Sequence, residues 1–291
     1  SFDQGINFFD TAEMYPVFPK KNTQGLSEKI IGEWLKSRKL KNKVLIGTKI
    51  ACYNPKFIGV TNLPWLRGGH KKLIFNKKNF QEAINLSLKR LNIECIDIYQ
   101  LHWPERNVPI FGRLDYEHDK KDNNWTKIHE IIDVLKDLIK EGKILNFGLS
   151  NETPWGMMKF ISESKKKKIT QPVTIQNAYN LLNRVYDISH SEISMRENIG
   201  LLAYSPLASG RLTGKYLDGK IPIKSRFSIW PGRFDRHFTK KGEIAIQKYK
   251  KLAKEFNLKP NILAHAFVLS RPFLSSNIMG VTTLDQIKEN L

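Results

Sequence analysis

The chain has 291 residues, of which 41% are hydrophobic and 11% aromatic, so it can build a full core and is not disordered throughout. Its formal net charge is +20, but the lysines are scattered and no zinc-finger, helix-turn-helix or aromatic-basic RNA-binding motif accompanies them, so we expect no nucleic-acid partner. No apolar run approaches the roughly 18 residues that a membrane helix needs, so we expect no membrane span.

Short apolar runs alternate with amphipathic segments along the whole chain. Apolar residues at helical spacing predict helices near 27–36, 79–91, 126–141, 155–163, 189–197, 242–256 and 260–270, with another starting at 284. Strand-like runs lie at 6–9, 44–50, 95–101, 144–149, 173–178, 200–204 and 276–281. This alternation is typical of a parallel sheet with helical crossovers. No segment has the composition of a linker, so we predict one domain over 1–291.

The number of strand-then-helix units bears on the fold class. Seven units are one short of a (β/α)8 TIM barrel, and residues 2–5 read as the end of a helix. We therefore expect that the first strand of such a barrel lies outside this chain. A doubly wound open sheet is the alternative, but it usually carries a G-x-G-x-x-G turn after its first strand, and the sequence has no such motif.

Polar residues end consecutive strand-like runs. Asp10 and nearby Tyr15 follow the first run, Lys49 lies at the end of the second, and His102 follows the third. The carboxyl ends of parallel barrel strands meet at one face, so we expect these side chains to share a pocket mouth. A phenol beside a cation has a lowered pKa and can donate a proton near neutral pH.

Each of these residues has a simpler interpretation when it is taken alone. Asp10 is then a helix cap or the partner of a core lysine, and Tyr15 is a packed aromatic. His102 is then a hydrogen-bonded structural histidine. Lys49 is harder to explain, because a lysine at a buried strand end needs a partner. The combination favours catalysis.

The cysteines and histidines indicate the compartment and the absence of a metal. Two cysteines are too few for a disulfide framework; we interpret Cys52 as a loop thiol and Cys95 as a buried small residue. No Cys/His spacing is typical of a metal site, so we predict no bound metal. The first residues lack the basic start and apolar stretch of a secretion signal. We therefore expect a cytoplasmic protein.

A series of segments, in order over nearly the whole chain, resembles the aldo-keto reductase family. The polar residues above lie in three of them: DTAEMY at 10–15, GTK at 47–49 and LHWP at 101–104. The others are GLSN at 148–151, QN at 176–177, YSPL at 204–207, LTGKY at 212–216 and GVTTLDQIKEN at 280–290. The sequence at 15–16 and 150–153 is most similar to the Tas-like branch, relatives of the potassium-channel β subunits.

The resemblance implies a (β/α)8 barrel that reduces an aldehyde or ketone with NADPH. It also implies that the C-terminal tail of the barrel, like its first strand, lies outside this chain. Tyr15 is then the proton donor, and Lys49 lowers its pKa while Asp10 holds Lys49 in position. His102 then donates a hydrogen bond to the carbonyl oxygen. Trp103, next to it, walls the substrate pocket.

The resemblance also assigns residues to parts of the NADPH cofactor. Nicotinamide contacts are expected from Ser150, Asn151, Gln176 and Tyr204, and pyrophosphate contacts from Ser205, Leu207 and Gly210. The 2′-phosphate is expected at Lys215 and Arg226, and the adenosine at Gly280, Thr282, Gln286, Glu289 and Asn290.

Two functions remain open at this point. One is a working reductase of a small carbonyl substrate. The other is a cofactor-sensing partner protein, like the channel β subunits, in which the same residues persist, turnover is slow and the useful output is binding to another protein. The long loops at 54–76 and 105–124 then serve as pocket walls or as docking surfaces.

Overall fold

The computed structural model describes residues 1–41, 43–54, 57, 62–69, 72–233 and 235–291. Part of the predicted 54–76 loop, including residues 58–61, 70 and 71, lies outside the described residues. The chain divides into two compact units, Ser1–Ile175 and Gln176–Leu291, which are called the N-terminal and C-terminal units here. One domain over 1–291 stays a prediction.

Strands and helices alternate in the N-terminal unit. The strands are β1 (Phe8–Asp10), β2 (Leu45–Ile50), β3 (Ile96–Leu101) and β4 (Ile144–Ser150), and the helices are α1 (Leu26–Ser37), α2 (Lys77–Leu91), α3 (Ile128–Lys140) and α4 (Pro154–Lys167). The strands β1 to β4 pair in parallel and in chain order. Strand β5 (Thr174–Ala178) spans the border between the two units.

The C-terminal unit continues the same pattern. It contains the parallel pair β6 (Gly200–Tyr204) and β7 (Leu274–Ile278), and the helices α5 (His190–Glu197), α6 (Arg226–Ile229), α7 (Lys240–Glu255), α8 (Pro260–Leu269) and α9 (Leu284–Asn290). Parallel strands in chain order, alternating with helices, confirm the predicted (β/α) barrel class.

Local signals fix several helix ends in the N-terminal unit. The Asn76 side chain accepts a hydrogen bond from the Asn79 N–H and caps α2, and Thr153 caps α4 in front of Pro154 in the first turn. Gly142 follows the end of α3 with φ of 69°. A left-handed conformation at that point favours glycine and stops a helix, in agreement with a predicted helix that ends near residue 141.

The apolar stripe of α3 faces the core. Its buried residues are Ile128, Ile131, Ile132, Val134, Leu135 and Leu138, at the spacing from which the helix was predicted. Burying one such side chain stabilises the fold by about 1.5–3 kcal/mol. Among the described residues, no helix is long and apolar enough to cross a membrane.

Two positional predictions were wrong. The last strand, predicted at 276–281, is Leu274–Ile278, because the chain leaves the sheet early to reach Thr283, which caps α9 by accepting from the Gln286 N–H. The stretch from 205 to 239, in which no strand or helix was predicted, contains α6 and a distorted 3-10 turn at Ala208–Thr213. Its apolar residues are too few and too closely spaced to reveal elements this short.

Candidate active site

Strand register brings the predicted polar residues to one edge of the sheet. Asp10 lies opposite Gly47 in the β1–β2 pair, and Lys49 lies opposite Gln100 in the β2–β3 pair. The ladder continues past the end of β3, since the His102 N–H donates to the Ile50 carbonyl at 3.0 Å. Three neighbouring strands therefore end in an acid, an ammonium and an imidazole.

Asp10 and Lys49 form a buried ion pair. The Lys49 ammonium donates to Asp10 Oδ2 and, at 2.7 Å, to the Thr11 carbonyl oxygen. The two side chains are 0% and 6% exposed for Lys49 and Asp10, respectively. Burial lowers the pKa of Lys49, and the Asp10 carboxylate opposes that shift. The carboxylate therefore favours the charged form of a lysine that solvent does not reach.

Tyr15 lies beside this pair and next to the imidazole. The Lys49 ammonium is 5.4 Å from the centre of the Tyr15 ring. The Tyr15 and His102 rings are 5.6 Å apart and meet edge to face at 74°. Tyr15 keeps partial solvent access, whereas Lys49 and His102 are buried. The predicted clustering of the acid, the phenol, the ammonium and the imidazole is thus present in the N-terminal unit.

His102 is held as a neutral imidazole at neutral pH. Burial, followed by the positive charge of Lys49, lowers the pKa of His102 well below its usual 6.5. A neutral imidazole has one donor and one acceptor nitrogen. Its Nδ1 is buried with no hydrogen-bond partner among the described residues, and its carbonyl accepts from Asn151 Nδ2 at 2.9 Å.

Trp103 packs inward behind His102. Its ring centre is 4.3 Å from that of His102, its indole N–H donates to the Cys52 carbonyl at 2.8 Å, and the Cys52 thiol donates back to the Trp103 carbonyl at 3.2 Å. Cys52 lies outside any strand or helix, as predicted for a loop thiol, and it is fully buried because the chain after β2 turns onto Trp103. Cys95, predicted to be buried, is only partly so. A substrate contact by Trp103 stays a prediction.

Gln100 completes the coordination of Asp10 and was missed by sequence reasoning. Its amide Nε2 donates to Asp10 Oδ1 at 2.9 Å, and its side chain is fully buried. The sequence signal is an amide near the end of a mainly apolar strand, two residues before the predicted His102.

A second buried pair, also missed, supports the loop that carries Tyr15. Glu13 Oε1 lies 3.2 Å from Arg67 Nη2 and accepts from the Ala51 N–H at 2.7 Å. Arg67 Nη1 also donates to Asn79 Oδ1 at 2.9 Å. Burial raises the pKa of Glu13, and the Arg67 charge opposes the rise. No sequence spacing predicts this contact.

A third buried pair lies at the start of α4, just after β4. Arg106 donates to both carboxylate oxygens of Glu152, from Nη1 to Oε2 at 3.1 Å and from Nη2 to Oε1. Its Nη2 also donates to Thr153 Oγ1 at 3.2 Å. A Cβ at Gly156 would come within 2.2 Å of Arg106 Nη2 and of Glu152 Oε1. Only glycine therefore fits beside this pair.

Ser150 and Asn151, predicted to contact the nicotinamide, adjoin His102. Both are buried, and Asn151 Nδ2 donates to Ser150 Oγ at 3.1 Å as well as to the His102 carbonyl. Asn151 has φ of 52°, a left-handed conformation that asparagine tolerates better than most residues. Their direct contact with a cofactor stays a prediction.

The predicted pyrophosphate segment of the C-terminal unit is a tightly turned loop. Ser205 has φ of 57°, and its carbonyl accepts from Asn180 Nδ2 at 2.9 Å. Gly210 has φ of 90°, and a Cβ there would lie 3.5 Å from both Lys215 Cε and the Tyr216 ring. Gly210 and Lys215, predicted to contact two different phosphate groups of the cofactor, are therefore neighbours on this loop.

Buried polar atoms in this loop fit an acceptor-rich ligand such as the phosphates of NADPH. Among the described residues, Ser209 Oγ, Tyr216 Oη and Arg211 Nε and Nη1 have no hydrogen-bond partner. Arg211 is only 3% exposed, and its guanidinium lies 3.8 Å above the Phe238 ring. Buried donor atoms without an acceptor are costly, so these two nitrogens favour a ligand that carries acceptor oxygens. Sequence reasoning did not single out Arg211.

Other predicted cofactor residues of the C-terminal unit are distributed over strand, turn and helix. Tyr204 ends β6 with the Arg236 guanidinium 5.8 Å from its ring centre. Further positions are Gln176 on β5, Leu207 before the 3-10 turn and Arg226 at the start of α6.

The predicted adenosine segment forms a capped helix, α9. Gln286 Oε1 accepts from the Thr282 N–H at 2.9 Å, and Asn290 Oδ1 accepts from Asn261 Nδ2 at 3.0 Å. Glu289 pairs with a lysine at 3.5 Å, and Gly280 is exposed before the helix. In the part of the chain that the structure describes, no group of three or more His, Cys, Asp or Glu residues is arranged to hold a metal ion.

A family model described as the aldo/keto reductase family matches residues 1–291. The chain belongs to the aldo/keto reductase family. This aldo/keto reductase is 38% identical to Protein tas of Escherichia coli (strain K12), over 99% of this chain and 80% of that protein. It is 37% identical to an aldo-keto reductase of Babesia bovis, over 86% of this chain and 89% of that protein.

A further relative is named as a channel subunit. A putative voltage-gated potassium channel subunit beta of Schizosaccharomyces pombe is 30% identical over 100% of this chain and 76% of that protein. The predicted resemblance to the family, and to its Tas-like and channel-subunit relatives, is confirmed. Membership of this family supports an oxidoreductase activity for the chain.

Proposed function

We propose that this chain is an NADPH-dependent reductase that converts an aldehyde or ketone to the alcohol, in the cytoplasm. The observation that carries the proposal is the buried Asp10–Lys49 ion pair beside Tyr15 and a neutral His102. A phenol beside a buried ammonium is suited to donate a proton and to remain as a stabilised phenolate.

The chain's own residues handle the oxygen end of the reaction. NADPH, when bound, supplies hydride to the carbonyl carbon. Tyr15 donates its phenolic proton to the carbonyl oxygen as negative charge develops there. Lys49 stabilises the phenolate that remains, and Asp10 keeps Lys49 charged at a site where burial alone would favour the neutral amine.

His102 orients the carbonyl group. Its pKa is lowered by burial and by Lys49, so the imidazole is neutral at working pH and can donate one hydrogen bond without competing with Tyr15 as the acid. A positioned donor of this kind stabilises developing charge on oxygen. Trp103 supports the ring from behind, within contact distance, and walls the substrate pocket.

The chain's cofactor contacts divide by chemistry. Amide and hydroxyl groups of Ser150, Asn151 and Gln176 hold the nicotinamide carboxamide, and the Tyr204 ring stacks on the nicotinamide. The pyrophosphate lies along the turn of Ser205, Leu207 and Gly210, the 2′-phosphate at Lys215 and Arg226, and the adenosine at Gly280, Thr282, Gln286, Glu289 and Asn290. The unpartnered buried donors near Gly210 support this phosphate assignment.

The test is NADPH binding, by fluorescence, together with NADPH oxidation against a panel of aldehydes and ketones such as para-nitrobenzaldehyde. Binding with turnover is the expected result. Binding without turnover would replace the reductase by a cofactor-sensing partner protein, an alternative that the name of the Schizosaccharomyces pombe relative favours. No binding of NADPH would overturn both functions.

A further inference from the structure

Gln100 is a buried amide at the centre of the catalytic cluster. It lies on β3 opposite Lys49 of β2 and opposite Gly148 of β4. Its Nε2 donates to Asp10 Oδ1 at 2.9 Å, while the Lys49 ammonium donates to the other oxygen, Oδ2. Both oxygens of one carboxylate are thus bound by donors from two different strands.

The neighbouring strands make room for this side chain. A Cβ added at Gly47 would lie 3.2 Å from Gln100 Nε2, and a Cβ added at Gly148 would lie 3.3 Å from Gln100 Cγ. Both distances are tight contacts, so a larger residue at either position would displace the Gln100 side chain. Glycines on both flanking strands thus leave Gln100 the space to reach Asp10.

We propose that Gln100 is a positioning residue of the reductase: its amide fixes the carboxylate plane of Asp10, and thereby the place of the Lys49 ammonium beside Tyr15. The inference rests on the proposed function, since it assigns Gln100 a part in the same proton transfer. Gln100 is not a catalytic residue, because its observed contact is with Asp10.

The physical reason is the directionality of a hydrogen bond to a charged group. A carboxylate bound at one oxygen can rotate about its Cβ–Cγ bond, whereas a second donor at the other oxygen fixes that rotation. The Lys49 side chain is 0% exposed, so water cannot replace Asp10 as its hydrogen-bond partner if the carboxylate moves. A small rotation of Asp10 would therefore move the ammonium relative to the Tyr15 oxygen.

The first variant is Gln100→Met, which keeps an unbranched side chain of similar length and removes the donor. Hydrogen bonds to charged groups are worth about a factor of ten or more in an equilibrium, so we expect kcat to fall about tenfold. The dissociation constant for NADPH should stay unchanged, because the hydrogen bond that the substitution removes goes to Asp10, which is assigned to the proton transfer and not to cofactor binding. Thermal unfolding of the same sample shows whether the variant is folded.

The second variant is Gln100→Glu, which restores the donor only while it carries a proton. Two carboxyl groups in direct contact in a buried site cannot both ionise, so they share one proton. At about pH 6 the new carboxyl should therefore donate to Asp10 as the amide does, and kcat should approach that of the wild type. As pH rises and the shared proton leaves, kcat should fall below that of Gln100→Met.

The titratable groups around this contact are the same in all variants, so differences between variants report on position 100. They are Asp10 on β1, Lys49 on β2, Tyr15, His102 after β3, and Glu28, whose charge acts on Lys49.

Thermal unfolding against pH provides a readout that does not depend on turnover. The shared proton is bound in folded Gln100→Glu above the unfolded carboxyl pKa of about 4, so the stability of this variant should fall as pH rises from about 5 to about 8. Gln100→Met should lack this extra slope.

The outcomes separate the contact, its role and the proposed function. Equal kcat for Gln100→Met and the wild type, with parallel pH profiles, would mean that Gln100 only fills space, and would overturn the inference. If the stabilities of Gln100→Glu and Gln100→Met depend on pH in the same way, the contact between position 100 and Asp10 is overturned. A wild type that binds NADPH but reduces no carbonyl would overturn the proposed function and the positioning role of Gln100. The pH dependence of unfolding would still test its contact with Asp10.

Discussion

Removing the guanidinium of Arg67 should destabilise the chain in a pH-dependent way. The Arg67 and Glu13 side chains are 0% and 1% exposed, so Arg67→Met leaves a carboxylate that solvent does not reach. Breaking a buried pair from one side costs about 3–5 kcal/mol, and Asn79 Oδ1 also loses its donor. These contributions are not additive, and we expect a loss of about 4 kcal/mol at about pH 8, or roughly 10 °C in melting temperature.

The sign of the pH dependence follows from Glu13. Burial already raises its pKa above 4.5, and loss of the Arg67 charge raises it further, so the folded state of Arg67→Met binds a proton that the unfolded state releases. The free-energy cost of the substitution should therefore be largest at about pH 8 and should become smaller as pH falls towards about pH 5. Urea denaturation at these two pH values, analysed by linear extrapolation, measures this difference.

The matched control is the double variant Glu13→Gln with Arg67→Met. It removes the charge that Arg67→Met leaves buried, so it should recover at least about half of the lost stability and should unfold with little pH dependence. A loss below about 1 kcal/mol for Arg67→Met, or a loss that is the same at both pH values, would refute the buried ion pair as the support of this loop.

Three further predictions concern packing, charge and cofactor choice. Gly156→Ala should lower stability by about 3 kcal/mol in urea denaturation, because its Cβ would displace the Arg106–Glu152 pair; an unchanged midpoint would contradict this. The His102 ring should stay neutral at about pH 6 in nitrogen NMR, since its pKa lies well below the usual range; a protonated ring there would contradict the burial argument. Lys215→Met should weaken NADPH binding about tenfold or more while leaving NADH binding unchanged, because only NADPH carries the 2′-phosphate; equal losses for both cofactors would move that phosphate elsewhere.

The helices and the strand ends were predictable because each depends on local periodicity. The apolar spacing in α3 places Ile131 and Leu135 on one face, and the same residues are buried in the structure. The shift of the last strand shows the limit of this reasoning, because the strand ends where Thr283 begins the cap of α9, not where the apolar residues end.

The clustering of the site was predictable for a different reason. The carboxyl ends of parallel strands share one edge of a sheet, so Asp10, Lys49 and His102 had to meet once their strands were neighbours. The contacts of Gln100 and Arg67 were not predictable, because they depend on strand register and on side-chain conformations that no spacing encodes. The burial of Cys52 was not predictable for the same reason.

The central claim is that Tyr15 donates the proton, and the most direct test compares Tyr15→Phe with Tyr99→Phe. Both substitutions remove one phenolic oxygen, but the Tyr99 hydroxyl is buried on β3 with no hydrogen-bond partner among the described residues, so its removal should be nearly neutral. In NADPH oxidation with para-nitrobenzaldehyde, Tyr99→Phe should match the wild type, whereas Tyr15→Phe should lose about 10²- to 10⁴-fold in kcat with NADPH binding kept. Equal turnover by the wild type and Tyr15→Phe would contradict the account.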